Sequence, residues 1–517
     1  PPSLDGSEMK RDAAVAVGLA AAKIALHVPV LGRYGWHRDE LYFVDCGLHP
    51  AWGYVDHAPL VPWVAGAATA LVPGNLIALR LPAVLAGALA VALTARVARA
   101  LGAGTAGQLL AGGCMLVGPA YLRMAKILHI PAFEVLWWTL ASLLLVQVLL
   151  ARRPRLWLAI GAVMGLALLT KPTALLWIAG CAVGLLLVPE ARAHLRSPWP
   201  YAGAAVALAL VAPSLLWQHE SGWPTIDFIV QARQGMLARI PRALFLLGQV
   251  LYIHPFTVPV WAAGLVWLIR RGRGPLGVLV WLFVVPLGLL LVTRGKPYYL
   301  APAYPVLFAA GGTAIEAYAG RVRSRLVIPL GLATLLLGGT ISAPLALPYL
   351  PLRRVDALAE KLFGWAVPAR ALTHDLHDEH GWRQQVAAAD AAHRALPNHV
   401  RDGMVLLVGN YGQASAARVL GHGRGLPPVL SGHMTHHLWS ARLLSEREAP
   451  VSAALAYGLP RRTLEDLFAH VRRIDHIRGH PLAEPEERDL PIHLCTSPHE
   501  PLDEAWPRLR RFRHGPP

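Results

Sequence analysis

The chain has 517 residues, of which 55% are hydrophobic and only 15% charged, with a formal net charge of +17. A soluble domain carries roughly 25% charged residues. Charge this sparse excludes a soluble globule and points to a bilayer, where lipid-facing helix surface needs none. An excess of positive charge would suggest nucleic acid in a soluble protein. Here the arginines fall in short runs between apolar segments, which excludes nucleic acid as the main partner.

Apolar runs long enough to span a bilayer, or nearly so, occur at 13–32, 77–98, 104–122, 131–150, 156–170, 172–189, 200–217, 245–269, 275–293, 299–318 and 326–345. The pattern predicts an α-helical polytopic membrane protein with about eleven transmembrane helices. The first run lacks a small-residue cleavage site and is expected to be a retained helix. Arg96 and Arg99, Arg152, Arg153 and Arg155, Arg192 and Arg196, Arg270, Arg271 and Arg273, and Arg321, Arg323 and Arg325 occupy alternate loops. The positive-inside bias puts these loops and the N-terminus in the cytoplasm. Segments 33–76, 123–130, 218–244, 294–298 and the tail after 346 are then expected outside.

The outer segments hold cations that this bias does not predict: Arg38, Arg123, Lys126, Lys171, Arg294 and Lys296. Individually, each suits snorkelling to headgroups. As a set they suggest an anionic ligand at the outer surface.

The first outer loop, RYGWHRDELYFVDCGLHPAWGYVDHAPLVPWVAG (33–66), is rich in aromatics and holds Asp39, Glu40, Asp45 and Asp56. A carboxylate just beyond the first span could take a proton from an attacking hydroxyl or amine, orient the acceptor, or hold a metal. A solvated loop with a local Arg–Asp pair is the plainer reading. Glu134 lies inside an apolar run, which makes it a functional candidate; a structural salt bridge to Arg123 or Lys126 is the alternative. The stretch RGKPYYLAPAYP (294–305) sets Arg294 and Lys296 beside Tyr298 and Tyr299. Cations beside phenols suit phosphate oxygens, and Lys171 has the same aspect. Such cations would stabilise a phosphate leaving group.

Residues 346–517 change character after Pro344, Pro348 and Pro351. VLLVGNYGQASAARVL (405–420) reads as strand, turn and helix, predicting a C-terminal soluble α/β domain. Its glycine spacing is not that of a dinucleotide site. The histidines in HDLHDEH (374–380) are expected on a solvated surface helix, and those at 433–437 are not assigned to a metal. Cys114 and Cys181 fall in apolar spans as core residues, and no metal-type cysteine spacing exists. No metal site is assigned, although Asp39, Glu40 and Glu134 could together hold a divalent cation.

The acidic pair after the first span, the aromatic first loop, Glu134, the TKP segment at 170–172 and KPYYLAPAYP at 296–305 together resemble the C-type glycosyltransferase superfamily. The bacterial branch related to protein O-mannosyltransferase and lipid A aminoarabinose transferase is the most similar. In the tail, GNYGQASAARVLG, LPPVLSGHMTHHLW and IHLCTSPHEPLDEAWPRL also resemble that branch. The resemblance implies a transmembrane glycosyltransferase domain (1–345) with its catalytic loop at 33–76, and an extracytoplasmic α/β domain (346–517). It implies an enzyme of the bacterial inner membrane with a polyprenyl-phosphate-linked sugar as donor. A glycan, lipid or protein would be the acceptor, and the anomeric carbon would be inverted. Asp39, with Glu40 beside it, falls on the catalytic acidic position and Glu134 on a second acidic position. Arg294 and Lys296 fall on the segment that meets the lipid phosphate. Aminoarabinose transferases carry a lysine before paired prolines in the first loop. Here that stretch reads Asp56-His57-Ala58-Pro59-Leu60, so substrate contacts there are expected to differ, with Asp56 as another carboxylate. A transporter or flippase of lipid-linked sugars would share the spans and the cations, but it more often shows two related halves, and none is visible here.

Overall fold

A computed structural model of the protein describes residues 6–151, 153–234, 241–365 and 368–513. Arg152 and residues 235–240 of the outer segment 218–244 lie outside the described residues. Helix α1 (Gly6–His27) leads to the first loop, which holds α2 (Arg38–Leu48) and α3 (Leu60–Leu71). The chain continues through α4 (Leu76–Ala100), α5 (Thr105–Val117), α6 (Pro119–Met124), α7 (Ile130–Ala151), α8 (Leu156–Thr170) and α9 (Ala174–Leu187). After these come α10 (Trp199–Glu220), α11 (Pro224–Gln234), α12 (Arg242–Ile253), α13 (Val258–Arg270), α14 (Val278–Thr293), α15 (Tyr304–Arg321) and α16 (Val327–Ala346).

Among the described residues, six helices are long and apolar enough to cross a bilayer, and a seventh span results if the bent pair α12–α13 is counted as one. The expected single span 245–269 is instead two helices meeting at 83°. His254 takes a positive φ of 89° at the bend. Pro255 disfavours a helical conformation at His254 and has no N–H to give, and Pro259 follows one turn later. The expected span 104–122 likewise breaks at Gly118-Pro119 into α5 and α6. Four apolar helices (α3, α5, α8 and α9) are shorter than a full crossing. Of these, α3 lies in the loop and was not expected as a helix.

Helix α7 is the most enclosed of the long helices, whereas α10 and α16 expose Leu208, Leu216, Leu330 and Leu336. An apolar surface of that kind suits lipid. Small residues let the backbones approach: a Cβ on Gly161 would strike the Gly203 carbonyl between α8 and α10, and one on Gly311 would strike that of Val260 between α15 and α13.

Beyond α16 the chain forms α17 (Leu352–Phe363), α18 (Ala369–His377), α19 (Trp382–Arg394) and α20 (Asn398–Arg401). A five-stranded sheet follows, with β1 (Val405–Val408), α21 (Tyr411–Leu420), β2 (Val429–Leu430), α22 (Thr435–Ser445), β3 (Ala453–Tyr457), β4 (Phe468–Arg478) and β5 (Asp489–Pro498). The strand order is β2-β1-β3-β5-β4. β1 is parallel to β2 and β3, whereas β5 runs antiparallel to β3 and β4. The strand, turn and helix expected over 405–420 are β1, Gly409-Asn410 and α21.

One buried ion network ties the C-terminal region to the helices. The α2 helix starts with a reciprocal cap: His37 Nδ1 accepts from the Asp39 N–H at 3.1 Å, and Glu40 accepts from the His37 N–H at 3.0 Å. The fully buried Glu40 also takes a bidentate grip from Arg80 of α4, Nε and Nη2 each at 2.8 Å. Arg80 Nη2 reaches Glu379, which follows α18, at 3.1 Å. The other Glu379 oxygen accepts from Lys126 at 2.7 Å. Arg80 further donates to the carbonyls of Leu31 and Gly35 at 2.9 and 2.8 Å.

HDLHDEH is therefore not the solvated surface expected of it. Its Asp375, Asp378 and Glu379 meet Arg123, Arg38 and Lys126. Removing one member of a buried ion cluster leaves uncompensated charge. Arg80→Met should destabilise the protein by about 3–5 kcal/mol, read as a large drop in thermal unfolding midpoint in detergent. A wild-type midpoint would show the network to be dispensable.

Candidate active site

Asp39 is the second residue of α2, and its carboxylate is 26% exposed. Oδ1 accepts from the phenol of Tyr411 at 2.7 Å, and Oδ2 lies 3.2 Å from His129 Nε2. Burial works to raise this carboxyl. The His129 hydrogen bond, the neighbouring histidines and Arg38 outweigh it and hold the group well below the usual carboxylate range. Glu40, adjacent in sequence, points into the Arg80 network and also accepts from the Leu128 N–H at 3.0 Å. It reaches no open space, so the structure gives it a structural place and leaves Asp39 as the accessible carboxylate of the pair.

A second cluster lies where α7, α8, α9 and the 3-10 segment Pro297–Ala303 converge. Pro172 disfavours a helical conformation at Lys171, which is extended at φ −164°, and this opens the gap between α8 and α9. Lys171 Nζ sits 3.4 Å from Glu134 and 3.7 Å from the ring centroid of Tyr299, with the Tyr298 ring centroid at 5.7 Å. The placement satisfies an ion pair and a cation–π contact together. Thr173 donates a short hydrogen bond to the other Glu134 oxygen. Glu134 is thus paired with Lys171, not with Arg123 or Lys126.

The start of α7 links the two clusters: His129, which meets Asp39, immediately precedes it, and Glu134 is its fifth residue. Burial pushes the Tyr298 phenol up, then Tyr299, with the negative charges of Glu134 and Asp39 adding to the rise. Lys296 precedes this segment half-buried, and its side chain has no ion pair or hydrogen bond among the described residues. Arg294 is exposed at the left-handed C-cap of α14, φ 55°.

Asp56 and His57 are one ring removed from the partners of Asp39: the Tyr42 ring lies 4.8 Å from that of Tyr411, and the Phe43 ring lies 5.1 Å from His57 and 6.0 Å from His129. Asp56 accepts from Tyr42 at 2.8 Å. His57 is buried among the rings of Tyr42, Phe43 and Tyr54, with Nε2 3.7 Å from Cys46 Sγ. Asp45 is buried against Arg418 and His436, each at 2.9 Å. The outer cations read as a set for an anion are therefore divided. Arg38, Arg123 and Lys126 serve the contact with the C-terminal region, whereas Lys171, Lys296 and Arg294 lie on the Tyr298 side. All four cysteines are free and buried. Among the described residues no group of three His, Cys, Asp or Glu side chains is placed to hold a metal.

Sequence reading missed Arg80, His129 and Tyr411. Arg80 carried a usable signal, since it is ionisable within an apolar run just as Glu134 is. Tyr411 carried none, because its partner is 372 positions away.

A family model described as dolichyl-phosphate-mannose-protein mannosyltransferase matches residues 56–217. The crystal structure of ArnT from Cupriavidus metallidurans in the apo state is similar over 93% of this chain and 96% of that one, with a TM-score of 0.61 at 16% identity. The chain thus shares the fold of that structure. The same ArnT bound to undecaprenyl phosphate gives a TM-score of 0.52 at 14% identity, covering 95% of this chain and 98% of that one. A comparison with curated protein sequences finds no match. The family match spans Asp56, His57, Glu134 and Lys171. It stops short of Asp39 on one side and of Lys296 and the C-terminal sheet on the other.

The contact between the first loop and the C-terminal region holds groups that titrate in opposite directions: burial raises Asp378 to about 7 and lifts Glu379 above its usual range, so both favour the fold as pH falls, whereas His37 opposes it. Burial holds His37 down at about 4, against about 6.5 in an unfolded chain. As pH falls through that window the unfolded state takes up the proton first, so stability is lost. Asp45 and Asp375 are buried, yet their histidine, arginine and lysine partners hold them below the usual range. Their contribution is present above about pH 4 and is lost as pH falls further. Above about pH 4 these effects oppose one another, and below it the thermal midpoint in detergent should fall. His37→Asn keeps a helix cap and should make the midpoint less sensitive to acid than in the wild type between pH 6.5 and about 4.5. An identical slope in the variant would rule out His37 as the titrating group.

Proposed function

We propose that the protein is a membrane glycosyltransferase that moves a sugar from a polyprenyl-phosphate-linked donor to an acceptor on the non-cytoplasmic side. The observation that carries this reading is that the start of α7 brings together Asp39 of the first loop, through His129, and the Glu134–Lys171–Tyr299 cluster of the middle helices. A carboxylate and a cationic aromatic cluster at one opening suit the two ends of such a transfer. Support also comes from the fold shared with an ArnT that binds undecaprenyl phosphate.

In the reaction the bond from the sugar's anomeric carbon to the phosphate oxygen breaks. An acceptor oxygen or nitrogen bonds to that carbon from the opposite face. Charge develops on the departing phosphate, where a preorganised cation contributes most. Lys296 suits that role because no side chain or carbonyl among the described residues engages it. Lys171 adds positive field but shares its charge with Glu134. Asp39 is held ionised, so its basicity is low for a general base. Its role is to accept a hydrogen bond from the attacking hydroxyl or amine and aim it. The first loop, residues 294–298 and the C-terminal region then lie outside the cytoplasm.

The test uses reconstituted protein and a panel of undecaprenyl-phosphate-linked pentoses and hexoses, with release of free undecaprenyl phosphate measured by mass spectrometry. Asp39→Asn should slow release about a hundredfold, whereas Lys296→Met should act chiefly by raising the donor KM. Full activity of Asp39→Asn removes that residue from the mechanism. Passage of intact donor across the bilayer without release would establish a flippase instead.

A further inference from the structure

The three parallel strands of the C-terminal sheet send their carboxyl ends to one edge, where open α/β sheets gather ligand-handling residues. Here that edge lies on α2. After β1 comes Gly409-Asn410 and then Tyr411, which reaches Asp39. After β2 comes the segment leading to Thr435 and His436, which meet Tyr42 and Asp45. Gly412 packs so closely on Arg38 that a Cβ there would lie 2.6 Å from its side chain.

Tyr411 is held on every side that matters for aim. Its backbone N–H donates to His433 Nδ1 at 3.1 Å, while His433 Nε2 lies 2.8 Å from the Arg513 carbonyl, a pairing that fixes one tautomer. Asn410 caps α21 by accepting from the Gln413 N–H at 3.0 Å. The buried carboxylate of Glu487 gathers three amides: Asn410 Nδ2 at 2.7 Å, Gln413 Nε2 at 2.8 Å and Gln385 Nε2 at 2.9 Å. A buried carboxylate satisfied by three donors is a rigid anchor. This one clamps both residues that flank the turn.

We propose that Tyr411 is a positioning residue for the Asp39 carboxylate and that Glu487 fixes the turn that delivers it. Residues 409–413 of the C-terminal region thereby complete the site. The inference rests on the proposed role of Asp39. The Tyr411 phenol occupies Oδ1 and sets the carboxylate plane, and His129 sits against Oδ2. The remaining lone pair of the partly exposed group is left facing the acceptor. A bond from a neutral phenol also favours the charged form of Asp39.

The test is the rate of carbodiimide labelling of Asp39 at one fixed pH where the protein is folded, read by peptide mass spectrometry on the full-length protein in detergent. Carbodiimides react with the protonated carboxyl, so well above its pKa the rate follows the small protonated fraction and needs no turnover. Tyr411→Phe should raise the rate about tenfold. Glu487→Gln should raise it less, because the turn loosens while Tyr411 remains. Arg123→Ala weakens the same contact through Asp375 and serves as the control that should leave the rate unchanged. In the release assay, Tyr411→Phe should lower kcat about tenfold with little change in donor KM.

An unchanged labelling rate in Tyr411→Phe overturns the proposal. So does an equal rise in Arg123→Ala, which would make Tyr411 only part of the docking surface. Full activity of Asp39→Asn would instead defeat the functional reading and leave the labelling result standing on its own.

Discussion

A guanidinium enclosed among helices must be matched by charge and by acceptors, or the helices around it will not close. Arg80 is matched on all sides, by Glu40 in two bonds, by Glu379, and by the carbonyls of Leu31 and Gly35. With Lys126 on the far oxygen of Glu379, two positive and two negative side chains balance within the network. Its members come from the first loop, α4, the stretch before α7 and the turn after α18. One electrostatic requirement therefore fixes how four distant parts of the chain sit together. The same requirement divides the acidic pair that opens α2. Adjacent residues on a helix point about 100° apart, so if Glu40 turns inward to Arg80, Asp39 emerges at the side.

That division changes how the outer cations are understood. Read along the sequence, they form one set that could hold an anion. In the fold, Arg38, Arg123 and Lys126 are matched to Asp378, Asp375 and Glu379, so their field is largely cancelled where they stand. Lys296 has no such partner among the described residues, and Lys171 has one carboxylate and two rings. The positive field available to a ligand is thus concentrated on the Tyr298 side of Asp39, not spread around the loop.

The parts of this architecture that follow from solvent were legible in the sequence. Lipid demands continuous apolar helix, and the six long apolar helices among the described residues all fall on expected runs, whereas other runs of the eleven became shorter or bent helices. The strand and helix around Gly409-Asn410 declared themselves by a short apolar run ending in turn residues. Breaks inside runs were legible only in hindsight: Pro255 and Pro119 carry the reason for the α12–α13 and α5–α6 breaks, but an apolar window averages over them. What did not show was pairing. HDLHDEH has the composition of a solvated helix, and only the presence of Arg123, Lys126 and Arg80 in three dimensions makes its acids interior residues. Glu134 and Lys171 were singled out separately, yet nothing in their spacing of 37 positions showed that they pair. Asp39 was legible as an acid at the membrane surface. Its partners His129 and Tyr411 were not, because a hydrogen bond between distant positions leaves no periodic trace.

The state of Asp39 also bears on where the catalytic energy would come from. A carboxylate that accepts from a phenol, faces an imidazole and sits near Arg38 is stabilised as an anion and has given up proton affinity. It could still align an incoming hydroxyl, which gains from proximity and orientation, but it would contribute little by removing a proton early in the reaction. In the proposed transfer the larger share of transition-state stabilisation would then fall to the departing phosphate, whose developing charge the cations on the Tyr298 side would meet. An opening whose carboxylate is fixed and whose cation has no ion pair among the described residues suits a displacement led by its leaving group. The rigid clamp of α2 between the membrane helices and the C-terminal sheet is what such a mechanism requires, because an aiming group works only when its position is settled before the substrate arrives.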